Sequence, residues 1–158
     1  MFGLQDGESA GLLRARIEAR VARNFPDDLA EGELARVSEF LGELVGVPFD
    51  DEGRVQLQAA RQDARLMGDQ MLRAWEEFLR AECAVAPVVL ILEDLHWGDV
   101  PTVSFVYHAL RALEDAPLFV LALGRPELHE TFPELWKRHD PQLIPLRPLP
   151  KRAARRLV

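Results

Sequence analysis

Two adjacent carboxylates follow a short apolar run in the middle of the sequence. The stretch reads APVVLILEDLHWGD, and Glu93 and Asp94 come directly after the β-branched and aliphatic residues 88–92. In open α/β sheets, ligands bind beyond the carboxyl ends of the strands, so these acids would stand where a substrate binds. One carboxylate can hold Mg²⁺, and a second can orient or deprotonate the water that attacks a phosphate. A solvated turn at a strand end would also carry two acids, so the pair alone leaves both interpretations open.

The composition limits the class of protein. The chain has 158 residues, of which 48% are hydrophobic, and this is enough to bury the core of one globular domain. Its net charge of -7 argues against a non-specific nucleic-acid coat or an anionic-membrane binder. A single cysteine, Cys83, excludes an internal disulfide and is typical of a reducing compartment. Because the sequence has neither a membrane-length apolar run nor a signal peptide, we expect a cytoplasmic protein without membrane or direct nucleic-acid partners.

Residues 1–84 predict a helical segment. Apolar residues recur every three or four positions in three stretches, which is the period of an amphipathic helix. The second stretch should end near Gly46, where a proline and the acidic residues 50–52 indicate a turn. The predicted inward stripes are Leu13, Ile17 and Val21, then Leu34, Val37, Leu41 and Leu44, then Met67, Met71, Trp75, Phe78 and Leu79.

Residues 85–158 alternate between strand and helix patterns. Val88–Leu92 is apolar on both faces, as in a central parallel strand, and Leu118–Leu123 has the same character. Asp99 is a candidate N-cap for the helix between them. A short helix near 133–138, a third strand at 142–146 with Pro145 at a sheet edge, and a helix begun at 150–158 complete the pattern. This order predicts a three-layer α/β fold with parallel strands joined by right-handed crossovers.

The longer string LILEDLHWGD, followed by a helix, resembles the Walker B region of the STAND and Orc1-like AAA ATPases of bacterial signalling proteins. LFVLALGRPE is similar to the next strand of that family, and LIPLRPLPKRAARRLV resembles the strand and helix that lead to its lid. RVSEFLGELVGVPF and ARLMGDQM are similar to the segment before Walker B in bacterial Ser/Thr kinases that carry such a module. The resemblance implies a partial P-loop NTPase-like parallel sheet, with 85–158 as its Walker B and sensor part.

The resemblance also implies roles for individual residues. Glu93 would occupy the magnesium-coordinating place, where Asp is more usual, and could bind the cation through a water. Asp94 would be the catalytic or water-orienting carboxylate. Arg125 would be a sensor-like residue that stabilises phosphate charge, although a turn arginine paired with Glu127 is an alternative. The implied cofactors are ATP and Mg²⁺. His96 is expected to be a hydrogen-bonded spacer, and Trp97 to pack the turn between strand and helix.

One element of such a module is missing from the sequence. A phosphate loop has the pattern G-x-x-x-x-G-K-[ST], and the only lysines, Lys137 and Lys151, lie in unrelated contexts. The resemblance places that loop before Met1, so we expect the chain to be the middle of an ATPase module. By itself it should bind ATP poorly or not at all.

Two functions therefore remain open. In the first, the chain is part of an ATP-hydrolysing regulatory switch, with neighbouring kinase or effector domains as partners and a homo-oligomer on activation. In the second, it is a non-catalytic protein-interaction domain that keeps an ATPase-like scaffold. A protein kinase is excluded because the sequence has no glycine-rich loop, His-Arg-Asp or Asp-Phe-Gly motif. The four histidines lack the spacing of a zinc site.

Overall fold

The computed structural model describes residues 7–26, 31–132 and 141–147. Within these ranges, two parallel strands follow four helices, and a helix crosses over between the strands. A 3₁₀ turn, Leu95–Trp97, follows the first strand. The helices are α1 Ala10–Ala22, α2 Glu31–Leu44, α3 Val55–Gln62, α4 Ala64–Val85, α5 Val100–Ala112 and α6 Leu128–Thr131, and the strands are β1 Val88–Leu92 and β2 Leu118–Ala122.

The helices α1, α2 and α4 form where the apolar period predicts them. Their inward stripes are buried or partly buried, as the period requires, and Ile17, Val37 and Phe78 are almost inaccessible to solvent. The helix α3 was not predicted, because its eight residues contribute only two buried side chains, Leu57 and Ala60, to the core. Two apolar residues three positions apart are too weak a signal to distinguish a short helix from a loop.

The helix α4 is the centre of the packing. It contacts α2, α3, α5 and β1, and its buried residues Ala74, Phe78, Leu79 and Cys83 lie along one face. The carboxylate of Asp63 begins this helix by accepting hydrogen bonds from the backbone N–H groups of the first turn. Neither α4, with its 22 residues, nor any other helix in the described part is apolar enough to cross a membrane.

Ion pairs at the border of the core join α4 to α1 and α2. Arg20 of α1 binds Glu82, to which the Asn24 amide also donates a hydrogen bond of 2.7 Å. Arg36 of α2, itself buried, binds Glu77. Burial opposes the charge of Glu82, but the hydrogen bonds from Arg20 and Asn24 outweigh it and lower the pKa of this carboxyl. The carboxylate therefore stays ionised in its partly buried position.

The two strands pair in parallel, as predicted, with Val88 opposite Leu118 and Leu92 opposite Ala122. Parallel pairing requires a crossover, and α5 supplies it. The combination of a parallel sheet with packed helices makes this a mixed α/β chain.

The prediction of three layers is wrong for the described residues. One face of the sheet packs against α4 and α5 through Val88, Leu90 and Leu118. On the opposite face, Val89, Ile91 and Phe119 are 56%, 58% and 60% exposed. Both helices lie on the same face of the sheet. The strands are apolar on both faces, but the helices cover only one of them. The observed arrangement has two layers.

The predicted third strand at 142–146 is also wrong. Residues 141–147 are without regular secondary structure, and Leu143, Ile144 and Leu146 are exposed. Pro141 and Pro145 have no N–H to donate to a strand ladder, which explains the difference in physical terms. The predicted helices near 133–138 and at 150–158 lie outside the described residues.

The difference between the two sides of the sheet predicts very different costs for two phenylalanine truncations. Phe78→Ala should lower the free energy of unfolding by about 3–5 kcal/mol, because it leaves a cavity in the core. Phe119→Ala removes an exposed ring and should change it by about 0.5 kcal/mol or less. Urea unfolding followed by circular dichroism measures both. If Phe119→Ala costs as much as Phe78→Ala, the outer face of the sheet is covered in the folded protein.

Candidate functional site

The chain turns sharply where β1 ends. Glu93 and Asp94 form the turn, and the 3₁₀ segment follows at once. Three backbone hydrogen bonds hold it. The N–H of Leu95 donates to the carbonyl of Leu123 (2.9 Å), that of Trp97 to the carbonyl of Asp94 (2.8 Å), and that of Gly98 to the carbonyl of Leu95 (2.9 Å). The first of these bonds ties the turn after β1 to the end of β2.

The conformation of Asp94 makes the sharp turn possible. Its φ of 50° lies in the left-handed region, and no other non-glycine residue of the described ranges has a positive φ. Aspartate is among the side chains that tolerate this region best. The acidic residue at this position therefore also allows the left-handed backbone conformation of the turn, a second role that could not be predicted from the sequence.

Both predicted carboxylates are accessible. Glu93 and Asp94 are exposed, and neither side chain has a hydrogen bond or ion pair with the described residues. Two unpaired carboxylates at the carboxyl end of a parallel strand suit a hard cation such as Mg²⁺, which takes oxygen ligands and keeps several waters. Exposure of both acids is also what a solvated turn would show.

The structure brings Arg125 to this turn, but not through a carboxylate. Its guanidinium carbon lies 5.8 Å from the centroid of the Trp97 ring, a cation–π arrangement. No ion pair joins Arg125 to Glu127 in the described part of the chain, so the pairing considered as an alternative is not formed. An exposed contact of this kind stabilises by about 0.5–1 kcal/mol, so the guanidinium can leave the ring at small cost.

His96 and Trp97 differ from their expected roles. Trp97 is 76% exposed and does not pack the turn. The His96 ring lies 4.9 Å from it, and both imidazole nitrogens are buried without a hydrogen-bond partner among the described residues. The expectation of a hydrogen-bonded spacer is therefore wrong. An imidazole carries a proton on one or both of its nitrogens. At least one buried N–H donor of His96 therefore has no acceptor among the described residues.

An apolar cluster beneath the site anchors the two strand-end turns. Its fully buried members are Leu95 from the 3₁₀ turn, Val106 from α5, and Leu128 with Phe132 from the short helix after β2. Sequence reasoning did not single out Leu95 or Leu128. The only signal was one leucine immediately after the two acids and another three residues after Arg125.

Asp99 caps α5, as predicted. Its carboxylate accepts a hydrogen bond of 2.8 Å from the backbone N–H of Thr102, and Pro101 occupies the first turn. The hydroxyl of Thr102, followed by its backbone N–H, lowers the pKa of Asp99. The cap fixes where α5 begins and thus the length of the turn that carries the candidate site.

A surface depression lies elsewhere, among α1, α2, α3 and the loop before α3. Two arginines line it, but Arg14 binds Asp50 at 2.8 Å and Arg61 binds Glu43 at 2.6 Å. The two guanidinium charges are therefore already paired within the chain. Over the ranges that the structure describes, no group of three or more His, Cys, Asp or Glu side chains could hold a metal. A cation at Glu93 and Asp94 would need its remaining ligands from water or a substrate.

The chain matches no protein-family model, no curated protein and no solved structure. Support for an ATPase-like site therefore comes from the residues around β1 and β2 and their geometry.

The cap at Asp99 predicts a pH-dependent loss of stability. Asp99→Ala should lower the melting temperature at pH 7, whereas Asp99→Asn, which can still cap, should change it little. The folded pKa is lowered, so the stabilisation by the charge is present above the ordinary pKa of Asp and is lost as the pH falls through the folded pKa. Thermal unfolding at pH 7 and at about pH 2 measures this, and the deficit of Asp99→Ala should be smaller in acid. An equal deficit at both pH values would contradict a role for the carboxylate charge.

Proposed function

We propose that this chain forms the Walker B and sensor part of an ATP-dependent regulatory switch, of the STAND or Orc1-like AAA type, in a bacterial signalling protein. The observation that carries the proposal is the pair of unpaired carboxylates at the end of β1. The end of the parallel strand β2 is hydrogen-bonded to this turn and brings Arg125 beside it. The surrounding string LILEDLHWGD and the following helix resemble that family.

The residues present fit a magnesium–nucleotide site in their donor chemistry. Glu93 and Asp94 supply oxygen ligands only, and both are free of competing cations among the described side chains. Magnesium–ATP would supply the phosphoanhydride bond to be cleaved and the negative phosphate charge that Arg125 would bind. With magnesium–ATP bound, Asp94 would orient the attacking water and Glu93 would hold the cation through a water. Arg125 would leave Trp97 and stabilise charge on the phosphate.

The proposal requires a phosphate-binding loop that the 158 residues do not contain. Backbone N–H groups and a lysine would have to come from sequence outside them. Neighbouring kinase or effector domains then sense the conformation, and a homo-oligomer on activation is part of the same proposal. We place the protein in the cytoplasm.

A paramagnetic cation tests the carboxylate pair in the chain itself. Mn²⁺ should broaden the amide resonances of residues 93–95 in a proton–nitrogen NMR spectrum. Glu93→Gln with Asp94→Asn should abolish this broadening, because it removes both charged ligands. The double variant Asp50→Asn with Asp51→Asn is the matched control, since it removes two acids from a cluster that is already paired. Broadening centred on residues 50–52 instead of 93–95 would contradict the proposal.

The proposal predicts a longer protein that includes a phosphate loop, and ATP turnover is measured on that protein. Asp94→Asn should lower kcat for ATP hydrolysis by about 100-fold or more, the usual cost of losing a group that acts on the attacking water. Asp99→Asn, which keeps the cap, should retain activity. Equal rates for Asp94→Asn and the unmodified protein would refute the role of Asp94.

One observation favours the second function, a non-catalytic interaction domain. The outer sheet face exposes Val89, Ile91, Phe119 and Leu121 side by side, as a protein-binding surface does. If the face mediates association, sedimentation velocity should show a concentration-dependent species that Phe119→Asp removes. Val100→Asp, at an exposed position outside the sheet, is the matched control. Monomers at all concentrations would exclude self-association through this face.

A further inference from the structure

The burial of His96 and Trp97 is the reverse of what their side chains favour. The imidazole nitrogens are inaccessible and have no partner, whereas the indole beside them is 76% exposed. A buried polar group without a hydrogen bond is destabilising, and so is a large aromatic surface in water. Both penalties fall on consecutive residues of one 3₁₀ turn. An exchange of the two side chains would relieve both at once.

We propose that the turn of residues 93–98 has two positions, which we name Trp-out and Trp-in. Trp-out is the arrangement in the structure. In Trp-in, the indole takes the place of Leu95 against Val106, Leu128 and Phe132, and the imidazole reaches water. The exchange itself follows from the burial pattern, whereas its coupling to a ligand rests on the proposed function.

The geometry of a 3₁₀ helix makes the exchange a small movement. With three residues per turn, successive side chains point about 120° apart. In the structure Leu95 is buried, His96 is half-buried and Trp97 is exposed, so the three side chains occupy an inner, a middle and an outer place. Rotation of the segment by about 120° moves Trp97 to the inner place, His96 to the outer place and Leu95 to the middle.

The contacts that hold Trp-out are few and identifiable. They are the hydrogen bond from the Leu95 N–H to Leu123, the two backbone bonds within the turn, and the guanidinium of Arg125 over the indole. Asp94 bears the conformational cost, because it must stay in the left-handed region for the turn to close. If Asp94 moves to an extended conformation, the turn opens and the segment is free to rotate.

Asp94 therefore links the two positions to the candidate site. A cation or phosphate that binds the Asp94 carboxylate more tightly when its backbone is extended would favour Trp-in and would also release Arg125 from the indole. The same movement changes the apolar surface next to α5. A neighbouring domain that binds this surface would bind the two positions with different affinity, and the switch would act in this way.

The exchange is tested first without any ligand. In a protein with Trp75→Phe and Trp136→Phe, Trp97 is the only tryptophan, and acrylamide quenching of its fluorescence measures its exposure. Asp94→Gly favours the left-handed conformation and should raise the quenching constant. Asp94→Val disfavours it and should lower the constant. The equilibrium constant between Trp-out and Trp-in should differ between the two variants by about tenfold or more. Equal quenching constants for Gly and Val would overturn the proposal.

A substitution at His96 gives an independent test. His96→Leu removes the unsatisfied nitrogens and should raise the melting temperature, and it should also increase the exposure of Trp97 because Trp-out loses its penalty. An ordinary half-buried histidine with hydrogen-bond partners would instead be destabilised by this change. A melting temperature that is unchanged or lower would overturn the proposal.

Mn²⁺ then separates the exchange from the proposed function. Mn²⁺ itself quenches nearby fluorescence, so acrylamide quenching of Trp97 is measured with Mg²⁺ instead. The Mg²⁺ concentrations are chosen from the Mn²⁺ titration. We expect Mg²⁺ to lower the quenching constant of Trp97. If the NMR spectra show binding at 93–95 and Trp97 does not respond, the coupling is wrong and the site stands. If the Gly and Val variants differ but no cation binds, the exchange stands and the proposed function fails.

Discussion

The packing of α4 is the interaction on which the rest of the structure depends. Its buried face contacts two of the preceding helices, while the same helix reaches α5 and β1. The sheet has only two strands and could not persist in water by itself. Its inner face is buried because Phe78, Leu79 and Cys83 belong to the cluster that also includes Val88 and Leu118. The candidate site is thus supported by a helical core that precedes it in the sequence.

Parallel pairing is the second constraint, and it decides where chemistry can occur. Two in-register parallel strands end at the same edge, so the turns that follow them become neighbours. The hydrogen bond from Leu95 to Leu123 and the apolar contact of Leu95 with Leu128 fix this relation. Residues 28 positions apart, such as Trp97 and Arg125, meet only because of that geometry. The site is therefore a product of sheet topology and not of one continuous motif.

At this edge of the sheet, exposed side chains occur together with an unfavourable backbone conformation. The acids are solvated, the aspartate backbone is left-handed, and the histidine and tryptophan have exchanged their usual environments. Such departures from local preference concentrate at functional sites, where the surrounding structure holds them in place. Elsewhere in the described chain, arginines of α1 and α2 pair with glutamates of α4, although Arg36 Nη1 and Trp75 Nε1 are also buried without a partner. The left-handed aspartate and the inverted environments of the histidine and tryptophan distinguish this edge from the rest of the described surface.

The sequence by itself determined the long helices, both strands, their parallel arrangement and the cap at Asp99, because apolar period and capping chemistry are local properties. It also located the two acids at a strand end. Only the tertiary structure decided that one sheet face is covered, that α3 forms, that residues 142–146 do not pair, and that Arg125 lies on Trp97. Burial depends on which other elements reach a surface, and no periodicity within five residues of strand carries that information. For the same reason, the inverted environments of His96 and Trp97 could not be foreseen.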